Sequence, residues 1–292
     1  MFDIQAHMKA LSVDHAVTLL AEHPGTQLLA GGTDVLIRLR HGSREFTRLV
    51  DIHGLEELRF ITIDAAKNIR IGSGTVFTDL CQSDPIHQHL PILAEAAESV
   101  GGPQIRNMAT IGGNICNGAP SADSAPALFV LNARLELKSC RGIRQVPVAN
   151  FYLGPSSVDL RPGEILLAII IPQKEYQGYT GHYHKYAMRK AMDIATIGCA
   201  VSLKTSGGRM TDFRIAYGVA GPTPLRCPSA ENAAVNQIIS DTLPAKIADA
   251  VVKDVSPRTS WRATREFRRH IISELAERVT RTALDRARTQ KE

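Results

Sequence analysis

The stretch that decides the fold is Leu28-Leu29-Ala30-Gly31-Gly32-Thr33-Asp34. Gln27 to Leu29 predict a short strand, and the two glycines predict a turn after it. A helix is predicted to begin at Val35. Consecutive glycines let backbone amides approach an anion closely, and a helix start adds unpaired N–H groups. The stretch therefore predicts either a phosphate-binding turn or a plain connection in which Thr33 or Asp34 caps the helix.

A second glycine-rich segment covers residues 101–118, GGPQIRNMATIGGNICNG. Its core is Ala109-Thr110-Ile111-Gly112-Gly113-Asn114, and Asp123 follows shortly after. A segment of this length without clear periodicity is often functional in a compact domain. Glycines flanked by hydroxyl, amide and carboxylate groups can wrap a flat ligand with polar edges. Two unrelated glycine turns are the alternative, but their occurrence in one domain favours a single ligand site.

Other familiar sites are missing from the sequence. There is no G-x-x-x-x-G-K-[ST] motif, and Gly72-Ser73-Gly74 lacks the third glycine of a dinucleotide fingerprint. No G-x-S-x-G or H-E-x-x-H occurs, and the five cysteines form no C-x-x-C pair. We therefore expect no metal or iron–sulfur cluster held by this chain, and no catalytic side chain of a hydrolase.

Composition describes an ordinary globular chain. At 292 residues, with 44% hydrophobic and 22% charged residues, it predicts two domains of about 150 residues each. The net charge of +5 comes from residues 258–292, which hold ten Lys or Arg and five Asp or Glu. This stretch predicts a solvated helix face rather than a nucleic-acid site, because Trp261 and Phe267 are its only Phe, Trp or Tyr residues. No apolar run is long enough to span a membrane, and the N-terminus does not read as a secretory signal, so the cytoplasm is expected.

The pattern of elements changes near residues 172–180. Helices and strands alternate before it. Beyond it, strands are predicted over His182 to Met188, Gly198 to Lys204 and Phe213 to Val219, with a hairpin turn at Ser206-Gly207-Gly208. After Pro224, helices are predicted over Ala230 to Ile239, Pro244 to Asp254 and Arg262 to Ala287, and the last places Phe267, Ile271, Leu275 and Val279 on one face. The first of these strands contains Lys185, in Lys185-Tyr186-Ala187-Met188-Arg189. Such a lysine can neutralise an anionic ligand, but from the residues alone a solvated strand lysine is favoured.

Together these segments resemble the FAD-binding subunits of molybdenum hydroxylases, most closely those of bacterial three-subunit xanthine dehydrogenases. The resemblance rests on both glycine stretches, on Ser121-Ala122-Asp123 and on the Lys185 segment. It also includes Glu164-Ile165-Leu166-Leu167, Asp193 to Gly198 and Ser260-Trp261-Arg262, and so covers nearly the whole chain.

The resemblance implies an α+β fold. A PCMH-type FAD-binding domain would occupy residues 1–175, in two subdomains of about 1–55 and 56–175. A C-terminal domain of sheet plus helices, like that of the CO dehydrogenase flavoprotein, would occupy residues 176–292.

The resemblance also implies the residues that contact FAD. The first stretch would cradle the pyrophosphate through backbone N–H groups, Thr110 would offer its hydroxyl, and Asp123 would hydrogen-bond the cofactor. Ile165 or Leu166 would contact the flavin by backbone, and Lys185 would sit near its polar edge. In full, the predicted contacts are Gln27, Leu28, Leu29, Ala30, Gly31, Gly32, Thr33, Asp34, Ala109, Thr110, Ile111, Gly112, Gly113, Asn114, Asp123, Ile165, Leu166 and Lys185.

The implied function is electron transfer within a complex, with the chemistry carried by FAD. A molybdenum-cofactor subunit would oxidise hypoxanthine or xanthine, and a [2Fe–2S] subunit would deliver electrons to this chain for transfer as hydride to NAD+. Two alternatives stay open: the flavin subunit of another molybdenum hydroxylase, acting on carbon monoxide or an N-heterocycle, and a nucleotide-binding assembly subunit with no redox role.

Overall fold

The computed structural model describes residues 3–289, in which helices and strands are mixed as an α+β fold, as predicted. The strands are β1 (Ala6–Lys9), β2 (Gln27–Leu29), β3 (Arg48–Asp51), β4 (Ile61–Ile63), β5 (Ile69–Gly72), β6 (Arg134–Ser139), β7 (Gly142–Pro147), β8 (Tyr152–Gly154), β9 (Ser157–Val158), β10 (Ile165–Ile171), β11 (Thr180–Tyr186), β12 (Ile197–Ser206), β13 (Arg209–Gly218) and β14 (Leu225–Arg226).

The helices are α1 (Val13–Glu22), α2 (Val35–Arg40), α3 (Phe77–Gln82), α4 (Asp84–His89), α5 (Pro91–Glu98), α6 (Pro103–Arg106), α7 (Ile111–Cys116), α8 (Ser124–Val130), α9 (Gln173–Tyr176), α10 (Pro228–Ala234), α11 (Leu243–Val251) and α12 (Arg265–Thr289). No helix within residues 3–289 has both the length and the apolar character needed to cross a membrane.

The N-terminal unit is a small parallel sheet in the order β1-β3-β2. Helix α1 connects β1 to β2, and it begins where the Ser12 hydroxyl accepts a hydrogen bond from the His15 N–H at 3.0 Å. Parallel strands leave their carboxyl ends at one edge, where ligands of α/β units bind. The first glycine stretch leaves β2 at this edge.

The second unit is an antiparallel sheet in the order β4-β5-β10-β6-β7. Its central strand β10 reads Ile-Leu-Leu-Ala-Ile-Ile-Ile and is buried along almost its whole length. Such a continuous apolar run is what a strand covered on both faces requires. Helices α3, α5 and α8 contribute buried residues to the same hydrophobic core.

The C-terminal unit is an antiparallel sheet in the order β11-β12-β13-β14, whose core it shares with α10, α11 and α12. The predicted hairpin at Ser206-Gly207-Gly208 joins β12 to β13. The predicted apolar face of α12 is buried at Ile271, Leu275 and Val279, but Phe267 is 42% exposed. Phe267 is in the first turn of α12, where its ring lies beside Tyr186 at the end of β11.

Two predicted element boundaries differ from the structure. Residues 101–118 contain the short helices α6 and α7 rather than only irregular chain, because helices of four and six residues are too short to show a periodicity. The helix predicted over 230–239 ends at Ala234, because Val235 takes an extended conformation and Asn236 then has a positive φ of 65°. The division into residues 1–55, 56–175 and 176–292 stays a prediction.

Candidate functional site

The two glycine stretches lie against each other. A Cβ placed on Gly31 would stand 1.8 Å from the carbonyl oxygen of Met108, the residue just before the core of the second stretch, residues 109–114. The position of a Cβ is fixed by the backbone of residue 31, and the Met108 oxygen is itself a backbone atom, so rotating a side chain cannot relieve the overlap. Only glycine at position 31 lets the two loops approach this closely.

The first loop, residues 30–34, leaves its backbone donors unused. Among residues 3–289, no hydrogen-bond acceptor is found for the N–H groups of Gly31, Gly32, Thr33 and Asp34. Gly32 turns the chain with a φ of +72°, and its carbonyl oxygen then accepts the Leu36 N–H at 3.0 Å as α2 begins. A row of free N–H groups in such a turn is a binding surface for an anion.

The second loop, residues 109–114, uses most of its backbone donors within the protein. The Ile111 N–H donates to the Thr75 carbonyl at 3.0 Å, and the Gly112 N–H donates to the Ser73 carbonyl at 2.9 Å. The Thr110 hydroxyl accepts the Gly113 N–H at 3.0 Å and so caps α7. What this loop can offer a ligand is therefore mainly its side chains and the exposed surface at Gly113.

Residues 72–75 form the floor under the second loop, a role that the sequence did not reveal. Ser73 and Thr75 are buried, and a Cβ on Gly112 would stand 2.6 Å from the Ser73 carbonyl oxygen. The sequence signal for this role was Gly72-Ser73-Gly74, which lacks the third glycine of a dinucleotide-binding fingerprint. The structure uses these glycines instead for close backbone packing, since a Cβ on Gly72 would lie 2.2 Å from the Leu58 carbonyl oxygen.

Asp123 and Lys185 form a buried ion pair beyond the second loop. The Lys185 Nζ donates to Asp123 Oδ2 at 2.8 Å, and their side chains are only 11% and 9% exposed. The same ammonium group donates to the Ser99 carbonyl at 3.0 Å, and the Tyr183 hydroxyl donates to Asp123 Oδ1 at 3.1 Å. Burial raises the pKa of Asp123 from 3.8 to about 6, although Lys185 opposes this shift.

Strand alternation explains how these groups meet. Tyr183 and Lys185 are two positions apart on β11, so both side chains point to the same face. That face meets Ser99 after α5 and Asp123 just before α8. Tyr183 and Ser99 were not predicted as site residues from the sequence, although the two-residue spacing of Tyr183 from Lys185 was a usable signal. Burial raises the pKa of Tyr183 far above its ordinary range and so keeps its hydroxyl a donor.

Side-chain hydrogen bonds connect the two loops to the Asp123–Lys185 ion pair. The Ser124 hydroxyl, next to Asp123, donates to Asn114 Oδ1 at 2.7 Å, and Arg38 on α2 donates to Asn117 Oδ1 at 2.6 Å. The structure therefore brings both glycine loops and the 123–124 segment into one connected group that extends to Lys185.

Ile165 and Leu166 lie behind this group. The two residues are 1% and 3% exposed, and their side chains belong to two different hydrophobic clusters, so neither side chain is available to a ligand. The strand is tied to the floor of the second loop, since the Ser73 N–H donates to the Leu167 carbonyl at 2.9 Å. Backbone contact by Ile165 or Leu166 stays a prediction.

A cavity of about 390 Å³ opens beside Lys185. Its walls are the end of β11, the loop that follows and the end of α5; they comprise Glu95, Ser99, Tyr183, His184, Lys185, Tyr186, Ala187, Met188, Arg189, Lys190, Ala191 and Asp193. The loop is held in shape by Asp193, which accepts the N–H groups of Arg189 at 3.0 Å and Ile194 at 2.9 Å. One end of the ion pair thus faces a space that a ligand can enter.

No group of three or more His, Cys, Asp or Glu side chains within residues 3–289 is arranged to hold a metal ion. His182 and His184, which alternate on β11, do not converge on one point. His182 Nδ1 instead lies 2.9 Å from Glu95 Oε2, and Glu95 also accepts the Tyr183 N–H at 2.8 Å.

Comparison with known proteins decides the family. The sequence model described as the FAD binding domain in molybdopterin dehydrogenase matches residues 2–174, more than half of the chain. The chain belongs to this family. The model described as the CO dehydrogenase flavoprotein C-terminal domain matches residues 182–283. The predicted resemblance, the α+β fold type and FAD as the cofactor are thereby confirmed.

Individual relatives agree with this membership. The xanthine dehydrogenase FAD-binding subunit of Escherichia coli O157:H7 is 46% identical over 284 residues, with 97% of each chain covered. The carbon monoxide dehydrogenase medium chain of Hydrogenophaga pseudoflava is 31% identical over 273 residues, covering 93% of this chain and 94% of the relative.

A solved structure shows the same fold. It is that of the carbon monoxide dehydrogenase from Hydrogenophaga pseudoflava that lacks the Mo-pyranopterin moiety, and it superimposes with a TM-score of 0.93 at 31% identity, covering 98% and 99% of the two chains. The chain is therefore a flavin subunit of the molybdenum hydroxylase type and part of an oxidoreductase.

The residues of the site fit FAD. The pyrophosphate of this cofactor is an anion, and the first loop presents a row of unpaired N–H groups beside a second loop that only glycine lets approach. The paired Lys185 ammonium stands at a cavity, and its partner Asp123 is next to Ser124, which donates to Asn114 of the second loop.

Proposed function

We propose that this chain is the FAD-binding subunit of a xanthine dehydrogenase-type molybdenum hydroxylase. In this proposal it accepts electrons from the [2Fe–2S] clusters of one partner subunit and passes them as hydride to NAD+, while a molybdenum-cofactor subunit oxidises hypoxanthine or xanthine. The observation that carries the proposal is the 46% identity to a xanthine dehydrogenase FAD-binding subunit over 97% of both chains.

Within this function, the first loop holds the pyrophosphate of FAD. The free N–H groups of Gly31 to Asp34 bind its oxygens, and the start of α2 adds a favourable dipole. From the second loop, Thr110 donates its hydroxyl proton, because its oxygen already accepts the Gly113 N–H. Gln27, Leu28 and Leu29 supply the strand that aims the first loop at the ligand.

Asp123 and Lys185 act at the flavin end of the site. FAD supplies the electron and hydride chemistry when it is bound. Lys185 adds a positive charge at the cavity, and Asp123 holds the ammonium group in place with help from the Ser99 carbonyl. Since both side chains are almost fully buried, this charge acts with little screening by water.

The test uses the chain co-expressed with the molybdenum and [2Fe–2S] subunits of its complex. We expect one FAD per copy of this chain, bleaching of the flavin by NADH under anaerobic conditions, and reduction of NAD+ when xanthine is added. The isolated chain, examined in parallel, should show flavin absorbance without that of iron–sulfur clusters.

Each other outcome contradicts one part of the proposal. Activity with carbon monoxide or an N-heterocycle but not with purines would assign a different molybdenum hydroxylase. Flavin that NADH does not reduce in the complex would remove NAD+ as the acceptor. A complex that assembles with a nucleotide but carries no redox-active flavin would favour the assembly role.

A further inference from the structure

Residues 258–269 form a surface segment of unusual charge. Among its twelve residues are five arginines and one acid, Glu266. We call the five the arginine cluster; they are Arg258, Arg262, Arg265, Arg268 and Arg269. Two large aromatic side chains stand out of the same surface, Trp261 at 80% exposure and Phe267 at 42%. The Arg262 guanidinium lies over the Trp261 ring, 4.1 Å from its centroid.

The positive charge of this segment is not neutralised by ion pairs with the residues that the structure describes. Among residues 3–289, no carboxylate forms an ion pair with any member of the arginine cluster. The cluster also surrounds the N-terminus of α12, a helix of 25 residues. The helix dipole is positive at this end and favours acidic side chains there, so the cluster adds to an unfavourable potential. An external anionic group would relieve it.

Arg268 fixes the shape of the surface from below. It is only 2% exposed, and its guanidinium donates to the Thr196 carbonyl and, at 2.9 Å, to the Ser260 hydroxyl. Its Nε atom has no hydrogen-bond partner among residues 3–289. Arg268 thus ties the turn that carries Trp261 and Arg262 to the start of β12, while its buried charge raises the local positive potential.

The surface borders the cavity at Lys185. The Phe267 ring packs against the Tyr186 ring with centroids 6.0 Å apart, and Tyr186 both follows Lys185 and lines the cavity. Thr196, held by Arg268, donates its N–H to the Tyr186 carbonyl at 2.8 Å. A protein bound to the arginine cluster would therefore stand beside the flavin end of the proposed site.

We propose that the arginine cluster with Trp261 and Phe267 is the docking surface for an acidic patch on the [2Fe–2S] partner subunit. This inference rests on the proposed function, which requires such a partner to deliver electrons near the flavin. Exposed tryptophan and arginine are the residue types that carry most binding energy in protein interfaces. Uncompensated charge on one side speeds association with a partner of opposite charge.

The test measures binding of the FAD-loaded chain to the purified subcomplex of the molybdenum and [2Fe–2S] subunits. We expect the double variant Arg258→Glu/Arg262→Glu to lower the association rate constant about tenfold or more at low salt, and to flatten its dependence on ionic strength. Trp261→Ala should weaken binding, raising the dissociation constant about 30-fold. FAD content and bleaching by NADH should stay unchanged in both variants.

Arg278→Glu is the matched control. Arg278 is 75% exposed on the same helix but lies beyond the arginine cluster, where it pairs with Glu274 at 3.0 Å. It should leave the association rate and its salt dependence close to those of the wild type.

The outcomes separate this inference from the proposed function. If the wild-type chain binds the subcomplex and both cluster variants bind it equally well, the docking surface lies elsewhere and the proposed function stands. If the wild-type chain does not bind, the proposed function itself fails. A higher KM for NADH with unchanged assembly would overturn the docking proposal and assign the cluster to a nucleotide phosphate.

Discussion

The candidate site has two halves whose polar groups are arranged in opposite ways. The first loop is the backbone half, and the second loop with Asp123 and Lys185 is the side-chain half. Within residues 3–289, no acceptor is found for the N–H groups of residues 31–34 in the first loop, and no salt bridge involves this loop. Beyond it, the second loop has bonded most of its backbone to residues 73–75, and the charged groups are the side chains of Asp123 and Lys185. One half is thus suited to bind by backbone and the other by side chains, although both contain a pair of glycines.

The glycines themselves show the same division. Gly31 and Gly112 are required because protein backbone occupies the place of their Cβ atoms, whereas the space beside Gly32 and Gly113 is much less filled. The two Gly-Gly pairs look alike in sequence, but the two glycines of each pair have different roles in the structure. In each pair, the first glycine serves packing, and the second leaves a surface that a ligand can approach.

The largest effect is expected for Gly31→Val, which separates the two halves. The new Cβ would overlap the Met108 carbonyl oxygen at 1.8 Å. Since only a backbone shift can relieve this overlap, we expect the free energy of unfolding to fall by about 5 kcal/mol or more and FAD to be lost. Urea unfolding and the ratio of FAD to protein measure both.

Gly154→Ala is the control for this change. Its Cβ would meet only the Ser157 Cβ, at 3.9 Å, so wild-type stability and FAD content are expected. If Gly31→Val folds with full FAD content, contact between the loops is not what holds the site together.

The first half was largely predictable from sequence because its signals are local. The strand at 27–29, the glycine turn and the helix from Val35 follow one another within the range of turn and capping preferences. The helix α1 was predictable for the same reason, since Ser12 caps it. Each of these features needs only neighbouring residues to specify it.

The second half depends on contacts between distant parts of the chain. Lys185 meets Asp123 across 62 positions, and Gly112 packs on Ser73, which sequence spacing alone does not specify. The residues indicated a solvated lysine, and only resemblance to a family assigned Lys185 to a site. Phe267 shows a related limit of the sequence: helix periodicity places it on the apolar face, but contacts with the sheet decide which turns of that face are covered.

A second prediction concerns the side-chain half. Lys185→Met removes the ammonium group 2.8 Å from Asp123 and leaves a buried carboxylate without a cation. We expect the free energy of unfolding at pH 7 to fall by about 3–5 kcal/mol, and flavin binding to weaken or its potential to shift. The double variant Asp123→Asn/Lys185→Met should recover most of the stability but not the flavin properties. Equal stability of wild type and Lys185→Met would show that the pair is not electrostatically coupled.

The pH dependence of the same pair has a definite sign. Because burial raises the pKa of Asp123 from 3.8 to about 6, the folded state binds more protons than the unfolded state between about pH 4 and pH 6. The contribution of Asp123 to stability therefore decreases as the pH rises through this window, by about 3 kcal/mol in total. Asp123→Asn should remove this decrease, which urea unfolding at pH 4, 5, 6 and 7 would reveal. An identical pH profile for both proteins would contradict the raised pKa.

The smallest effect tests the backbone half, by comparing Gly32→Ala with Gly25→Ala. Both glycines have positive φ, +72° and +82°, so alanine strains each backbone by about 1–2 kcal/mol. Neither new Cβ meets backbone: nothing lies within 4 Å at Gly25, and the nearest atoms at Gly32 are leucine methyl groups at 3.4 Å. Gly25 lies before β2, outside the predicted contacts, so the two variants should match in stability and differ only at the ligand.

We expect Gly32→Ala to weaken FAD binding about tenfold while Gly25→Ala leaves it unchanged, as measured by fluorescence titration of the apoprotein. The physical reason is that relief of strain at Gly32 rotates the peptide planes of the first loop and turns its N–H groups away from a common point. A carboxylate or ammonium group can compensate for a small shift by changing its rotamer, but a backbone donor cannot. If both variants bind FAD alike, the free N–H groups of the first loop do not hold the cofactor, and the side-chain half alone would have to supply the affinity.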